Sequence, residues 1–193
     1  MDVKLVSETA EICGAIIGDG WIEQRGNALY VAGHQSEDKD YYDNHFGPLF
    51  SKTFISVKPK DYPYWSVYGI HSYKKEVVDS IVNLGIQKGK KVYTTKFPEW
   101  IFDSKELMIA GLRGLFDTDG CFNCQKCYGK YDNAFRKKYH CQPRLFISTT
   151  SKELMLQTFK ILKFLGLNPT KIATRKEGII CGKRCKESYL VRL

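Results

Sequence analysis

The sequence predicts an α+β fold, a pseudo-twofold pair of αββαββ(α) halves in which two antiparallel four-stranded sheets flank two packed helices. Three observations predict it. The nonapeptide Ile12-Cys-Gly-Ala-Ile-Ile-Gly-Asp19-Gly20 returns as Leu112-Arg-Gly-Leu-Phe-Asp-Thr-Asp119-Gly120, at a constant offset of 100 residues. Each copy closes an apolar run of helical length whose small residues at i and i+4, Gly14/Gly18 and Gly114/Thr118, leave one side nearly bare backbone, so that two such helices can pack close. After each copy the same order follows: hairpin, helix, hairpin.

Ser7 reads as the N-cap of the first helix, with Glu8 and Glu11 in its first turn and Gly18 near its end. Trp21 to Arg25 and Ala28 to Gln35 alternate as strands do, around the turn Arg25-Gly26-Asn27. Ser36-Glu-Asp-Lys-Asp opens a helix carrying Tyr41, Tyr42, Phe46, Leu49 and Phe50, which Gly47-Pro48 distorts or divides. Phe54 to Lys60 and Tyr64 to Ile70 form a second hairpin around Asp61-Tyr-Pro, and a helix over Tyr73 to Leu84 stops at Gly85. Residues 87–103, Lys-rich and holding Phe97-Pro98, link a first half (1–86) to a second (104–193). In that second half Asp103-Ser-Lys-Glu106 and Thr150-Ser-Lys-Glu153 read as capping boxes. Cys121 to about Tyr128 and Arg144 to Thr149 are the third pair of strands, and Pro169 to Lys176 and Glu187 to Leu193 the last. Aligning Ser36 with Ser151 gives an offset of 115, so the first hairpin of the second half is longer by 15 residues. The insertion, Cys127 to Pro143, is basic and aromatic. A closing helix is expected in the first half only.

Composition bounds the partners. The chain has 193 residues, 43% of them hydrophobic, enough to bury a core. No apolar run approaches the ~20 residues needed to cross a bilayer, and Met-Asp-Val-Lys lacks the form of a signal peptide, so an intracellular setting, cytoplasmic or organellar, is expected. Residues 1–120 hold 14 Lys/Arg against 17 Asp/Glu, whereas residues 121–193 hold 16 against 4, a local net charge of +12. That asymmetry, with 13% aromatics, favours a polyanion over a membrane surface. The seven cysteines are an odd number and do not suggest an extracellular disulfide framework.

Chemistry concentrates where each repeat ends in Asp-Gly. If the helices pair about the pseudo-twofold axis, Asp19 and Asp119 meet at their foot. Unless compensated, one of two such carboxylates would take up a proton. A hard divalent cation with oxygen ligands removes the conflict and supplies a hydrolytic catalyst. The paired nonapeptides resemble the signature of LAGLIDADG homing endonucleases of the monomeric, two-motif type, in which the penultimate acidic residue of each motif binds metal. The first copy departs at Cys13, Ala15, Ile17 and Gly18, none of them the carboxylate position. Asp117 has Ile17 as its counterpart and reads as a helix-end surface group.

The resemblance implies a saddle of two sheets that receives a long double-stranded DNA target, and a monomer that needs no membrane. It implies phosphodiester hydrolysis across the minor groove with Mg2+ or Mn2+ (Ca2+ being non-catalytic) held by Asp19 and Asp119, with the backbone carbonyls of Gly18 and Thr118. Gln35 and Lys74 stand where relatives carry a loose polar pocket. Outward strand and loop positions nominate Arg25, Lys58, Lys60, Lys126, Arg136, Lys137, Lys138, Arg144, Lys171, Arg175, Lys176 and Arg192 for DNA, and Tyr68 is expected on the same face. Cys124-x-x-Cys127 and Cys181-x-x-x-Cys185 have spacing suited to structural Zn2+, with free thiols or disulfides as the alternatives. The competing function is a non-cleaving nucleic-acid binder of the same fold, such as an intron RNA maturase.

Overall fold

The computed structural model describes residues 3–127, 140–180 and 183–193. Helix α1 (Ser7–Asp19) and helix α5 (Lys105–Asp119) cross at the centre. Their contact is backbone on backbone. A Cβ added to Gly14 would lie 2.1 Å from the Gly111 carbonyl oxygen, and one added to Gly114 would lie 2.0 Å from that of Glu11. Positions 11 and 111 correspond in the two repeats, so the same contact is made twice across a pseudo-twofold axis.

In the first half α1 runs into strand β1 (Gly20–Ile22), which pairs with β2 (Leu29–His34) around Gly26 at φ +74°. The next helix begins as α2 (Lys39–Tyr41), passes through a π-helical turn (Tyr42–Phe46) and continues as α3 (Gly47–Thr53). The wide turn lies just before Pro48, which cannot donate a backbone hydrogen bond, and so accounts for the expected distortion. The second hairpin is shorter than expected: β3 (Lys60–Tyr62) pairs with β4 (Val67–Ser72) across Pro63–Trp65, with left-handed Ser66 closing the turn. Residues 55–59 are not strand, and Tyr62 lies in the ladder. The sheet order is β1-β2-β4-β3, all antiparallel. Helix α4 (Lys75–Asn83) then buries Val77, Val78 and Ile81 and ends near Gly85 at φ +100°.

The connecting stretch is packed rather than free. Phe97 and Ile101 are fully buried, and the Phe97 amide donates to Gln157 Oε1 at 2.7 Å. Helix α5 and helix α6 (Lys152–Phe164) are capped by the hydroxyls of Ser104 and Ser151, which accept from the Leu107 and Leu154 amides. Each cap is one residue later than the capping boxes predicted. At the start of α1 no side chain caps, and Ser7 is already helical.

The second sheet, β5 (Gly120–Cys127), β6 (His140–Thr149), β10 (Ser188–Arg192) and β7 (Ala173–Arg175), repeats the first in the order β5-β6-β10-β7. Strand β6 starts at His140, so part of the expected insertion is ladder. A further hairpin, β8 (Gly178–Ile180) with β9 (Lys183–Cys185), stands between β7 and β10. Arg136, Lys137 and Lys138 lie outside the described residues, as does the side chain of Lys126.

Candidate active site at the foot of the helix pair

The two repeats end together. A Cβ on Gly18 would fall 2.1 Å from Thr118 Oγ1 and 3.4 Å from Asp119 Cγ, so the last turns of α1 and α5 touch just where their aspartates project. Asp19 is half-buried and Asp119 more open to solvent, and partial desolvation raises both carboxyls above the usual carboxylate range. Asp19 is pushed up to about 6, by burial first and then by the charges of Asp119 and Asp38.

Three groups complete the surroundings, and none was singled out from sequence. Asp38 accepts the His34 amide at 2.6 Å and shares with Asp19 the space above Gly33: a Cβ there would lie 2.2 Å from Asp38 Oδ2 and 3.0 Å from Asp19 Oδ2. Tyr42, reached through the π turn, donates its hydroxyl to Asp19 Oδ2 at 3.3 Å. Lys91 comes from the connecting stretch and donates to the last carbonyls of α1, those of Ile16, Ile17 and Gly18, at 2.6, 2.6 and 3.1 Å. Burial pushes its ammonium down to about 8, while the charges of Asp119 and Asp19 resist that shift. The signal for Lys91 was hidden in the run Lys88-Gly-Lys-Lys, which reads as solvated linker.

Among the sequence-nominated residues, Asp19, Asp119, Gly18 and Thr118 are brought together. The Gly18 carbonyl accepts from Lys91, and the Thr118 hydroxyl donates back into its own helix, to the Gly114 and Leu115 carbonyls at 3.1 Å each. Gln35 directs its amide to Asp61 Oδ1 at 3.2 Å, and Lys74 is exposed at the N-cap of α4. The donor set suits a hard dication. Asp38 and Asp119 both add their charge to that of half-buried Asp19, and one depressed lysine offsets only part of it.

A second cluster lies two turns up α1. Glu11, 2% exposed, receives His45 Nε2 on Oε1 at 2.5 Å and the Arg113 guanidinium on Oε2, with Nε at 2.9 Å. Asp117, exposed in the last turn of α5 as its reading as a helix-end surface group expected, also joins it; partial desolvation and the charge of Glu11 raise its carboxyl. Ligand atoms of Glu11, His45 and Asp117 lie within 4.8 Å of one another, spacing able to hold a divalent cation. Arg113 already neutralises Glu11 there, so the group also serves as an ion-pair clasp joining α1, α5 and the π turn.

The outer faces of the sheets are unlike. On the second sheet Arg144, Arg175 and Arg192 alternate to the face opposite buried Ile147 and Val191. On the first, Lys60 shares the outer face with rings, and Arg25 and Lys58 are exposed nearby. Lys171 and Lys176 are exposed beside β7. Tyr68 is not on this face. The β4 register turns it inward, where its hydroxyl donates to Asp43 at 2.6 Å and accepts from Lys39 at 3.1 Å. As for zinc, Cys124 is disulfide-bonded, which removes its sulfur from a thiolate set while the bond stands. Cys185 lies in β9, and the side chains of Cys127 and Cys181 are outside the described residues.

No protein-family model and no curated protein matches the sequence. Among solved structures, the chain resembles variants of the homing endonuclease I-DmoI at 18% identity, over 97% of this chain and 84% of that one, with a TM-score of 0.57. I-DmoI has also been solved in complex with DNA and Ca. The N-terminal LAGLIDADG domain of DUF199/WhiA is 14% identical over 98% and 76% of the two chains, with a TM-score of 0.53. A K262A mutant of I-SmaMI is 10% identical over 96% and 78%, with a TM-score of 0.59. Likeness at these identities speaks for architecture alone: the chain has the fold shared by several LAGLIDADG DNA-binding and nuclease proteins.

Proposed function

We propose that this chain is a site-specific double-strand DNA endonuclease whose reaction depends on a divalent cation held by Asp19 and Asp119. The observation that carries the reading is the meeting of the two motif aspartates, one raised to about 6, where the two helix ends touch at the junction of two pseudosymmetric sheets. A bound Mg2+ or Mn2+ would supply an acidified water and charge neutralisation at the leaving 3′ oxygen, giving 5′-phosphate and 3′-hydroxyl ends. The chain's own groups have separate tasks. Asp19 and Asp119 bind the ion, with the Gly18 and Thr118 carbonyls beside them, and Asp38 adds negative charge next to Asp19. Lys91 holds the α1 terminus in position and moderates the field, while Gln35 and Lys74 order solvent further out.

DNA would lie along the outer faces of both halves, 1–86 and 104–193, joined by 87–103. The +12 charge of residues 121–193 supplies most of the phosphate attraction. Arg25, Lys58, Lys60, Arg144, Lys171, Arg175, Lys176 and Arg192 are the described contacts, and one chain suffices because it carries both motifs. Structural Zn2+ on Cys124, Cys127, Cys181 and Cys185 remains a separate proposal, tested by metal content under reducing conditions.

The test is a randomised duplex library incubated with Mg2+ and, separately, Ca2+. Specific cuts are expected with Mg2+ and binding without cutting with Ca2+. Asp19→Asn and Asp119→Asn should each reduce double-strand cleavage at least ~1000-fold while leaving Ca2+-supported binding within about threefold. Cleavage persisting in either variant would refute the assignment. Tight binding with no cut under any metal would favour the non-cleaving binder.

A further inference from the structure

The outer face of the first sheet carries rings. Trp21 on β1, Tyr30 on β2 and His71 on β4 are cross-strand neighbours, with Trp21 and Tyr30 stacked at 5.6 Å and Tyr30 and His71 at 6.0 Å. Tyr62 stacks on Trp65 at 6.1 Å at the end of the same sheet. Between them is a recess of about 250 Å³ lined by Trp21, Tyr30, Ala32, Tyr62, Trp65 and Val67. Trp21 is 47% and Trp65 59% exposed, so the rings are open to a partner.

We infer that this face reads thymine 5-methyl groups in the major groove of one half of the target; the inference rests on the duplex-DNA reading proposed above. Rings that lean face to face across neighbouring strands have much of their π surfaces occupied by one another, and present mainly their edges. They therefore make a poor platform for unpaired bases, which stack on free ring faces. An extruded base fits no better. Its hydrogen-bonding edges would find few partners, because the recess is lined mainly by ring carbon and the Tyr30 and Tyr62 hydroxyls already bond Tyr73 at 2.8 Å and His71 Nδ1 at 2.7 Å. A methyl group needs no such partner. In B-DNA the apolar feature of the major groove is the thymine methyl, for which apolar side chains are the suited readers. Lys60, 5.3 Å above the Tyr62 ring on the same face, and exposed Lys58 supply positive charge for the flanking phosphates.

The wild-type chain in Ca2+ is used to select a duplex from a randomised pool, and the winner is remade with deoxyuridine for thymine in one half-site at a time. Each methyl that enters the recess or packs on its rim should contribute about fourfold in affinity. Deoxyuridine in one half-site is expected to weaken binding tenfold or more, and in the other less than threefold. Trp65→Ala, at an exposed turn position, should flatten that difference, weakening binding of the thymine duplex by more than that of the deoxyuridine duplex. Equal sensitivity of the two half-sites, or a selected duplex indifferent to deoxyuridine, overturns this inference and leaves the endonuclease reading intact. A pool yielding no bound duplex overturns both.

Discussion

The two halves share one chain path and differ in what they show to solvent. The first half, net −3 with its connecting stretch and second motif helix, sets Trp21, Tyr30, Tyr62 and His71 on its outer sheet face, whereas the +12 portion sets Arg144, Arg175 and Arg192 on the equivalent face. A repeated fold therefore does not imply a repeated surface. Core positions are held by packing against the helix pair, while outward positions are free to diverge. The halves differ inside as well. In the first, α4 closes the apolar floor with Val77, Val78 and Ile81. Among the described residues nothing covers the corresponding floor of the second, where a recess of about 290 Å³ is lined by residues including Leu112, Phe116, Ile147, Leu162 and Val191.

Where the halves clasp each other, the largest effect is expected at Arg113. Arg113→Met would leave Glu11 buried beside Asp117 without its cation, and urea unfolding should show a loss of about 3–5 kcal/mol. A loss below 1 kcal/mol would mean that His45 alone balances the clasp. The paired glycines test the symmetry itself. Gly14→Ala and Gly114→Ala each drive a methyl into a backbone carbonyl of the other helix, and each should cost about 3 kcal/mol, alike to within about 1 kcal/mol. Clearly unequal costs would show that one helix yields and that the pseudo-twofold contact is shared unevenly.

The smallest effect distinguishes Asp19 as a functional burden. Its carboxyl is raised to about 6, so the contribution it makes when protonated is fully present below the ordinary value of 3.8 and lost as pH rises through 6. Lys91, depressed to about 8, acts in the opposite sense: what it contributes when neutral is lost as pH falls through 8. Near pH 7 both are charged at a cost. Metal-free Asp19→Asn should therefore be more stable than the parent at pH 7.5, by on the order of 1–2 kcal/mol after allowance for partial solvent screening, which is roughly 3 °C in Tm. The gain should vanish near pH 4. Mutant and parent melting together at both pH values would show that Asp19 carries no such strain.

Sequence by itself determined the repeat, the pairing of its two bare-sided helices and the delivery of Asp19 and Asp119 to one place. These follow from spacing along single elements, where the 3.6-residue period and a small residue every fourth position are local facts. It also anticipated the helix divided near Pro48 and the stop at Gly85, because both residues act through their own backbone. Only the tertiary structure decided that Lys91 leaves a lysine-rich linker to cap α1, that Asp38 joins Asp19, and that Asp117 turns to Glu11 and His45. It alone decided that Tyr68 faces inward and Trp21, Tyr30 and Tyr62 outward. Those outcomes depend on strand register and on approaches between residues tens of positions apart. A slip of one residue in the ladder exchanges the two faces of a strand, and composition does not reveal which face it will be.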